Sequence, residues 1–345
     1  MTIAFFAVKF HLTNDPGVVD LNDRYFQELK DKYGHGSDEG SDIADFSEAR
    51  LLYDLSVLSK YYPANAFFIQ NAYYKSHNLK VAQNMLHAVD LHMQDNEAYH
   101  ADINKFEVNN DPKQAKLNSE SVFEWMNIKE WQDFKLAVAK DKSLIDSAAN
   151  LTGVEPRLIV SLLVGEQIRL FNSSREAYKK WIGPLKILSV ETTFSLGVTG
   201  IKVPTAQTIE TNLKDSTSVF YLGKKYGNLL DFQTKNTTQE RFNRLTSYKN
   251  HFYSYLYAAL NVKQVNVQWE RSGFPISGRP EILSTLYNIG YEASIPKENP
   301  EVGGSGISIK GKLYSFGAIA YEFYYSGELF ELFPFKNSSF DFTDK

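Results

Sequence analysis

The chain contains no cysteine in its 345 residues. Disulfides, thiolate catalysis and cysteine-based zinc sites are therefore excluded. No apolar run approaches the ~20 residues that a membrane-spanning helix needs. There is no basic excess either: 37 Lys and Arg face 41 Asp and Glu, a formal net charge of −4. Nothing in that balance points to nucleic acid. The opening, MTIAFFAVKFHLTNDPG, has an apolar patch but no basic residues ahead of it and no clear small-residue cleavage site, so no signal peptide is visible.

What is present is apolar and aromatic. Hydrophobic residues make up 43% of the chain and charged residues 23%, enough for a sizeable core. The 21 Tyr and 24 Phe suit a packed interior, and tyrosine also suits a sugar-lined groove.

The patterning is helical. Leu51, Leu52, Leu55 and Leu58 recur at helix spacing within 47–61, and helices are expected over 66–75 and 79–93 as well. An earlier helix is expected near 21–33. The Gly, Ser and acidic stretch after it reads as a solvated loop. Asp38, Glu39, Asp42 and Asp45 in that loop do not match a calcium-loop spacing. His87, His92 and His100 lack a metal-ligand spacing and read as solvated or core-edge histidines. The polar stretch 108–121, with Pro112, is a candidate boundary. A Trp-bearing helix is expected over 122–140, and one long aromatic helix over 239–262. Residues 306–312 match half of a phosphate loop, but Leu313 stands where a hydroxyl must hold Mg²⁺. A small hairpin leading into a closing helix over 315–333 fits better. That helix carries acids and no bases, which favours packing over membrane docking.

The centre of the chain is VEPRLIVSLLVGEQIRLF, residues 154–171. It is apolar almost all round, with Pro156 at the first helical position. Glu166 stands near its end, with Leu162, Leu163 and Leu170 one turn away. A carboxyl on such a face is costly when charged, and burial there would hold its proton near neutral pH. A general acid that cleaves a glycosidic bond needs that property. Arg169 lies three residues on, so an ordinary surface ion pair is the other reading.

Three segments in order carry a resemblance. The first is the short alanine-containing helix, the Gly153-Val154-Glu155-Pro156 turn and the apolar helix reaching Glu166. The second is Ser195-Leu196-Gly197-Val198-Thr199-Gly200-Ile201 running into Val203-Pro204-Thr205-Ala206. The third is Thr285-Leu286-Tyr287-Asn288-Ile289-Gly290. Together they resemble the lytic transglycosylases and goose-type lysozymes over roughly residues 142–295. The chain departs from the family at Gln167, where Ser is usual, and at Gly200, where a sugar-contacting Gln is usual.

The resemblance implies a lysozyme-like helical domain, set at 121–333; the patterning adds an N-terminal helical region over 1–120, a tail over 334–345 and, in a mainly α chain, at most a small β-hairpin. The resemblance also implies cleavage of peptidoglycan glycan strands at the MurNAc–GlcNAc bond, with Glu166 as acid and then base. Ser195, Gly200, Ile201, Tyr287 and Asn288 would contact substrate, and Glu191 is the candidate second acid for a hydrolytic outcome. No metal or organic cofactor is needed. The place of work would be periplasmic or extracellular, and the N-terminal region could meet a protein partner. Two rival readings are an inactive glycan-binding or scaffold module of the cell envelope and a cytosolic helical adaptor.

Overall fold

The computed structural model describes residues 48–104, 120–171, 197–247 and 249–335. The expected helix near 21–33, the acidic loop after it, Glu191 and Ser195 lie outside the described residues. Twelve α-helices and one two-stranded hairpin make up the described chain. The mainly α expectation holds. No described helix is long and apolar enough to cross a membrane.

The N-terminal helices are α1 (Glu48–Tyr61), α2 (Pro63–Ser76), α3 (Leu79–Met93) and α4 (Glu97–Asn104). Pro63 opens α2 at a position where its missing N–H costs nothing. The Asn78 side chain caps α3 by accepting from the Val81 amide at 3.1 Å. The expected helix over 122–140 is shorter than its pattern suggested. A 3-10 turn (Glu124–Asn127) precedes α5 (Lys129–Lys140), and extended backbone at Ile128 separates them. The turn lets Trp125 meet Trp131 edge to face, 5.1 Å between centroids.

Next come α6 (Lys142–Thr152) and α7 (Pro156–Phe171). Gly153, left-handed at φ +75°, ends α6 as the sequence predicts. Three helices follow: α8 (Val203–Lys214), α9 (Thr237–Thr246) and α10 (Phe252–Arg271). The one long helix expected over 239–262 is thus two, α9 ending at Thr246 and α10 beginning at Phe252. Within the interruption the Asn250 carbonyl side chain accepts from the Phe252 amide at 2.9 Å, which starts α10 afresh. One carboxylate pins all three helices: Glu210 on α8 accepts from Arg241 of α9 at 2.7 and 2.5 Å and from Tyr257 of α10 at 2.5 Å.

Helix α11 (Pro280–Ile289) leads to β1 (Gly306–Ile309) and β2 (Lys312–Ser315), an antiparallel pair that aligns Gly306 with Ser315. Helix α12 (Phe316–Ser326) closes the fold, capped by the Ser315 hydroxyl, which accepts from the Ala318 amide at 3.1 Å. It stops at Ser326, short of the expected 333, because Gly327 turns left-handed at φ +78°. All eleven of its residues are buried. It packs on α2, α3, α7 and α11. One hydrophobic cluster runs from Leu51 to Phe335 and draws on residues from both sides of position 120.

Arg157 locks the end of this packing. Its guanidinium is fully buried and donates to the carbonyls of Phe323, Tyr324, Glu328 and Phe333 at 2.7–3.0 Å. The last carbonyls of a helix have no partners within it. Here Arg157 supplies them from α7. Phe323 and Phe335 lie on the two nearest sides, 4.8 and 4.6 Å from the guanidinium carbon. Burial lowers the Arg157 pKa to about 10 against the pull of Tyr324, Glu155 and Glu328.

Candidate functional site

Nearly all described side chains of α7 are buried, so Glu166 goes into the interior with its neighbours. It is 4% exposed. That rules out a solvated helix-surface pair as its setting. The side chain of Arg169 lies outside the described residues.

The second predicted segment meets it directly. Residues 197–200 form a turn, and Gly200 has φ +68°. A Cβ at Gly200 would fall 2.5 Å from the Glu166 carboxyl carbon. A side chain at this position would push the carboxyl aside, and the positive φ favours glycine as well. In the family that the sequence resembles, a sugar-contacting Gln is usual at this position. In the structure the position is filled from below by Glu166 itself.

The turn is held on both sides. Gln167, next to the acid, donates to the Val198 carbonyl at 2.7 Å. Tyr287, in the last turn of α11, donates to the Thr199 carbonyl at 2.6 Å. The departure at Gln167 thus has a structural use, since the shorter Ser lacks that reach. Ile201 is 3% exposed and belongs to the core. The Thr199 hydroxyl is buried without a hydrogen-bond partner. Such a group costs free energy unless something else satisfies it.

Phe316, the first residue of α12, sets the spacing between α7 and α11. Its ring lies so close to Gly165 that a Cβ there would sit 2.6 Å away. It stacks on Tyr287 with centroids 6.4 Å apart. A fully buried ring of this size contributes on the order of 2–3 kcal/mol over an exposed one. Asn288 turns its oxygen to the loop before the hairpin and accepts from the Ser305 amide at 2.7 Å.

Glu166, Gly200 and Tyr287 thus converge on the 197–200 turn. Asn288 is occupied with the 303–305 loop, and Ile201 packs inward. Sequence reasoning gave Gln167, Thr199 and Phe316 no part in the site, noting Gln167 only as a departure from the family. Glu281 at the start of α11 is a second buried acid, paired with Arg279 at 2.9 Å, and burial pushes its carboxyl up. Glu281 and Arg279 stand two residues apart at a helix start, and that pairing was the available signal. Among the described residues no cluster of His, Asp or Glu could hold a metal ion.

A buried acid under a positive-φ glycine, on a turn strapped by a tyrosine, is placed to hold a proton at one point. Compared with family models, with curated proteins and with solved structures, the chain matches none.

Proposed function

We propose that the chain cleaves the glycan strands of peptidoglycan at the MurNAc–GlcNAc bond, with Glu166 as its single acid and base. The observation that carries this reading is the burial of Glu166 against Gly200, on a turn fixed by Tyr287. A carboxyl withdrawn from water is suited to give a proton near neutral pH.

The reaction would proceed in two moves. Glu166 gives its proton to the bridging oxygen as the bond from that oxygen to the MurNAc anomeric carbon breaks. The carboxylate then takes the proton of the sugar's own 6-hydroxyl, whose oxygen closes on the same anomeric carbon. An anhydro ring forms, no water is consumed, and the acid is regenerated. No metal or organic cofactor enters. Such work belongs in the periplasm or outside the cell.

A second reading has an observation of its own. Glu166 is nearly closed off, with Gly200 against its carboxyl and the Tyr287 hydroxyl spent on the Thr199 carbonyl. That arrangement suits a glycan-binding or scaffold module of the cell envelope that keeps the fold without turnover.

Digestion of purified peptidoglycan by the wild type and by Glu166→Gln separates the two. Mass spectrometry of released muropeptides should show anhydro products from the wild type and none from the variant. Full-mass reducing products would mean hydrolysis and a role for Glu191. Absence of release, with glycan binding retained, would sink the catalytic reading.

A further inference from the structure

Glu166 lies beneath a turn that its proposed work cannot leave in place. A general acid must come within hydrogen-bond reach of the oxygen that it protonates. The Glu166 side chain is buried, and Gly200 is seated on its carboxyl. The 197–200 turn that makes this contact is itself at the surface: Gly197 is exposed, and Val198 and Gly200 are half-buried. On this side the turn thus lies between the carboxyl and solvent.

Its attachment is light, and it has a pivot at each end. Among the described residues, two side-chain donors hold its carbonyls, Gln167 on Val198 and Tyr287 on Thr199. Glycines with positive φ stand at both ends, Gly197 at +65° and Gly200 at +68°. Glycine adopts backbone angles on either side of zero with little steric cost. The Thr199 hydroxyl supplies an independent observation. It is fully buried in the closed turn and has no hydrogen-bond partner. A hydroxyl left in this way costs free energy comparable to what one hydrogen bond contributes, and contact with water removes that cost. Closure therefore carries a penalty that opening relieves, set against the bond from Tyr287.

We infer that the 197–200 turn is a cover over Glu166, that Tyr287 latches it, and that the Thr199 hydroxyl favours its opening. The inference rests on the reading of Glu166 as the working acid, because only then must the carboxyl be reached.

Labelling of the full chain with a water-soluble carbodiimide and glycine ethyl ester tests it, read at Glu166 by mass spectrometry of peptides. The reagent reaches this carboxyl when the turn lifts. In the wild type Glu166 should label about tenfold or more slowly than the exposed Glu298. Tyr287→Phe keeps the ring and removes the latch, and should speed labelling about three- to tenfold. Thr199→Val keeps the shape and removes the unpaired hydroxyl, and should slow labelling by a similar factor. Glu155, buried at the other end of α7, should label alike in all three proteins, which separates lifting of the turn from unfolding. If Tyr287→Phe does not fold, Thr199→Val decides alone. Labelling of wild-type Glu166 at the rate of Glu298 overturns the inference. So does a change below about twofold in either folded variant, a shift in the same direction in both, or a parallel change at Glu155. No glycan enters this experiment, so the cover stands or falls whether or not peptidoglycan is cleaved.

Discussion

Gly200 and Glu166 show how one residue constrains another across 34 positions of sequence. The glycine has a positive φ, and a Cβ there would meet the carboxyl beneath it unless Glu166 moved. Gly200→Ala meets both obstacles together. It should lower unfolding free energy by about 1–3 kcal/mol, read from urea denaturation midpoints at constant m. A change below about half a kcal/mol would mean that Glu166 swings aside freely. At this scale the sequence was partly legible. An acid on an apolar helix stands out, and so does a tyrosine before a helix-ending glycine. The partner of Gly200 does not stand out, because contact between positions 166 and 200 depends on where the turn lands. Glu322 was equally hidden: in sequence it reads as one acid on an amphipathic helix, and its burial depends on His92 and Trp125, far away in the chain.

At the element scale, the interruption between α9 and α10 has a use. Residues 239–262 carry apolar side chains at helix spacing on both sides of the break, so periodicity alone joins them. The break frees the end of α9, and the Ser254 hydroxyl satisfies that end by donating to the Leu245 carbonyl at 3.1 Å. Gly197, at φ +65°, packs onto the same carbonyl and hydroxyl, so the 197–200 turn is seated in the gap. The hairpin and the α6 stop at Gly153 were legible because each depends on neighbours in sequence. Arg157 was not, since its four carbonyl partners lie about 170 residues on. Arg157→Leu leaves those carbonyls buried and unpaired, while Arg157→Lys offers one nitrogen where a planar fork is required. Both variants should lose about 3–5 kcal/mol, as judged by thermal unfolding, with Lys not rescuing Leu. Rescue by Lys would mean that charge, and not the fork, is what the carbonyls require.

For the molecule as a whole, one buried acid gives a sign to the pH dependence. Asp54 on α1 is pushed up to about 6, mainly by burial, with Arg50 opposing and Asp90 adding. The folded protein therefore keeps a proton that the unfolded chain releases between about pH 4 and 6. The stability from this group is fully present below pH 4 and is lost as pH rises through 6. The slope should not exceed about 1.4 kcal/mol per pH unit. Chemical denaturation across that range should show a downward component that Asp54→Asn abolishes. If the two curves run parallel, Asp54 ionises alike in both states.

Helix α12 is covered on every side and is the last helix of the described chain. The helices it holds together are all made before it. At about 5–20 residues per second, the ribosome takes on the order of ten seconds or more to go from α3 to α12. Throughout that interval the faces of α2 and α3 that α12 will cover have no partner. The order of synthesis therefore leaves the earliest part of this core waiting for the latest, and α12 decides when the nascent chain can close.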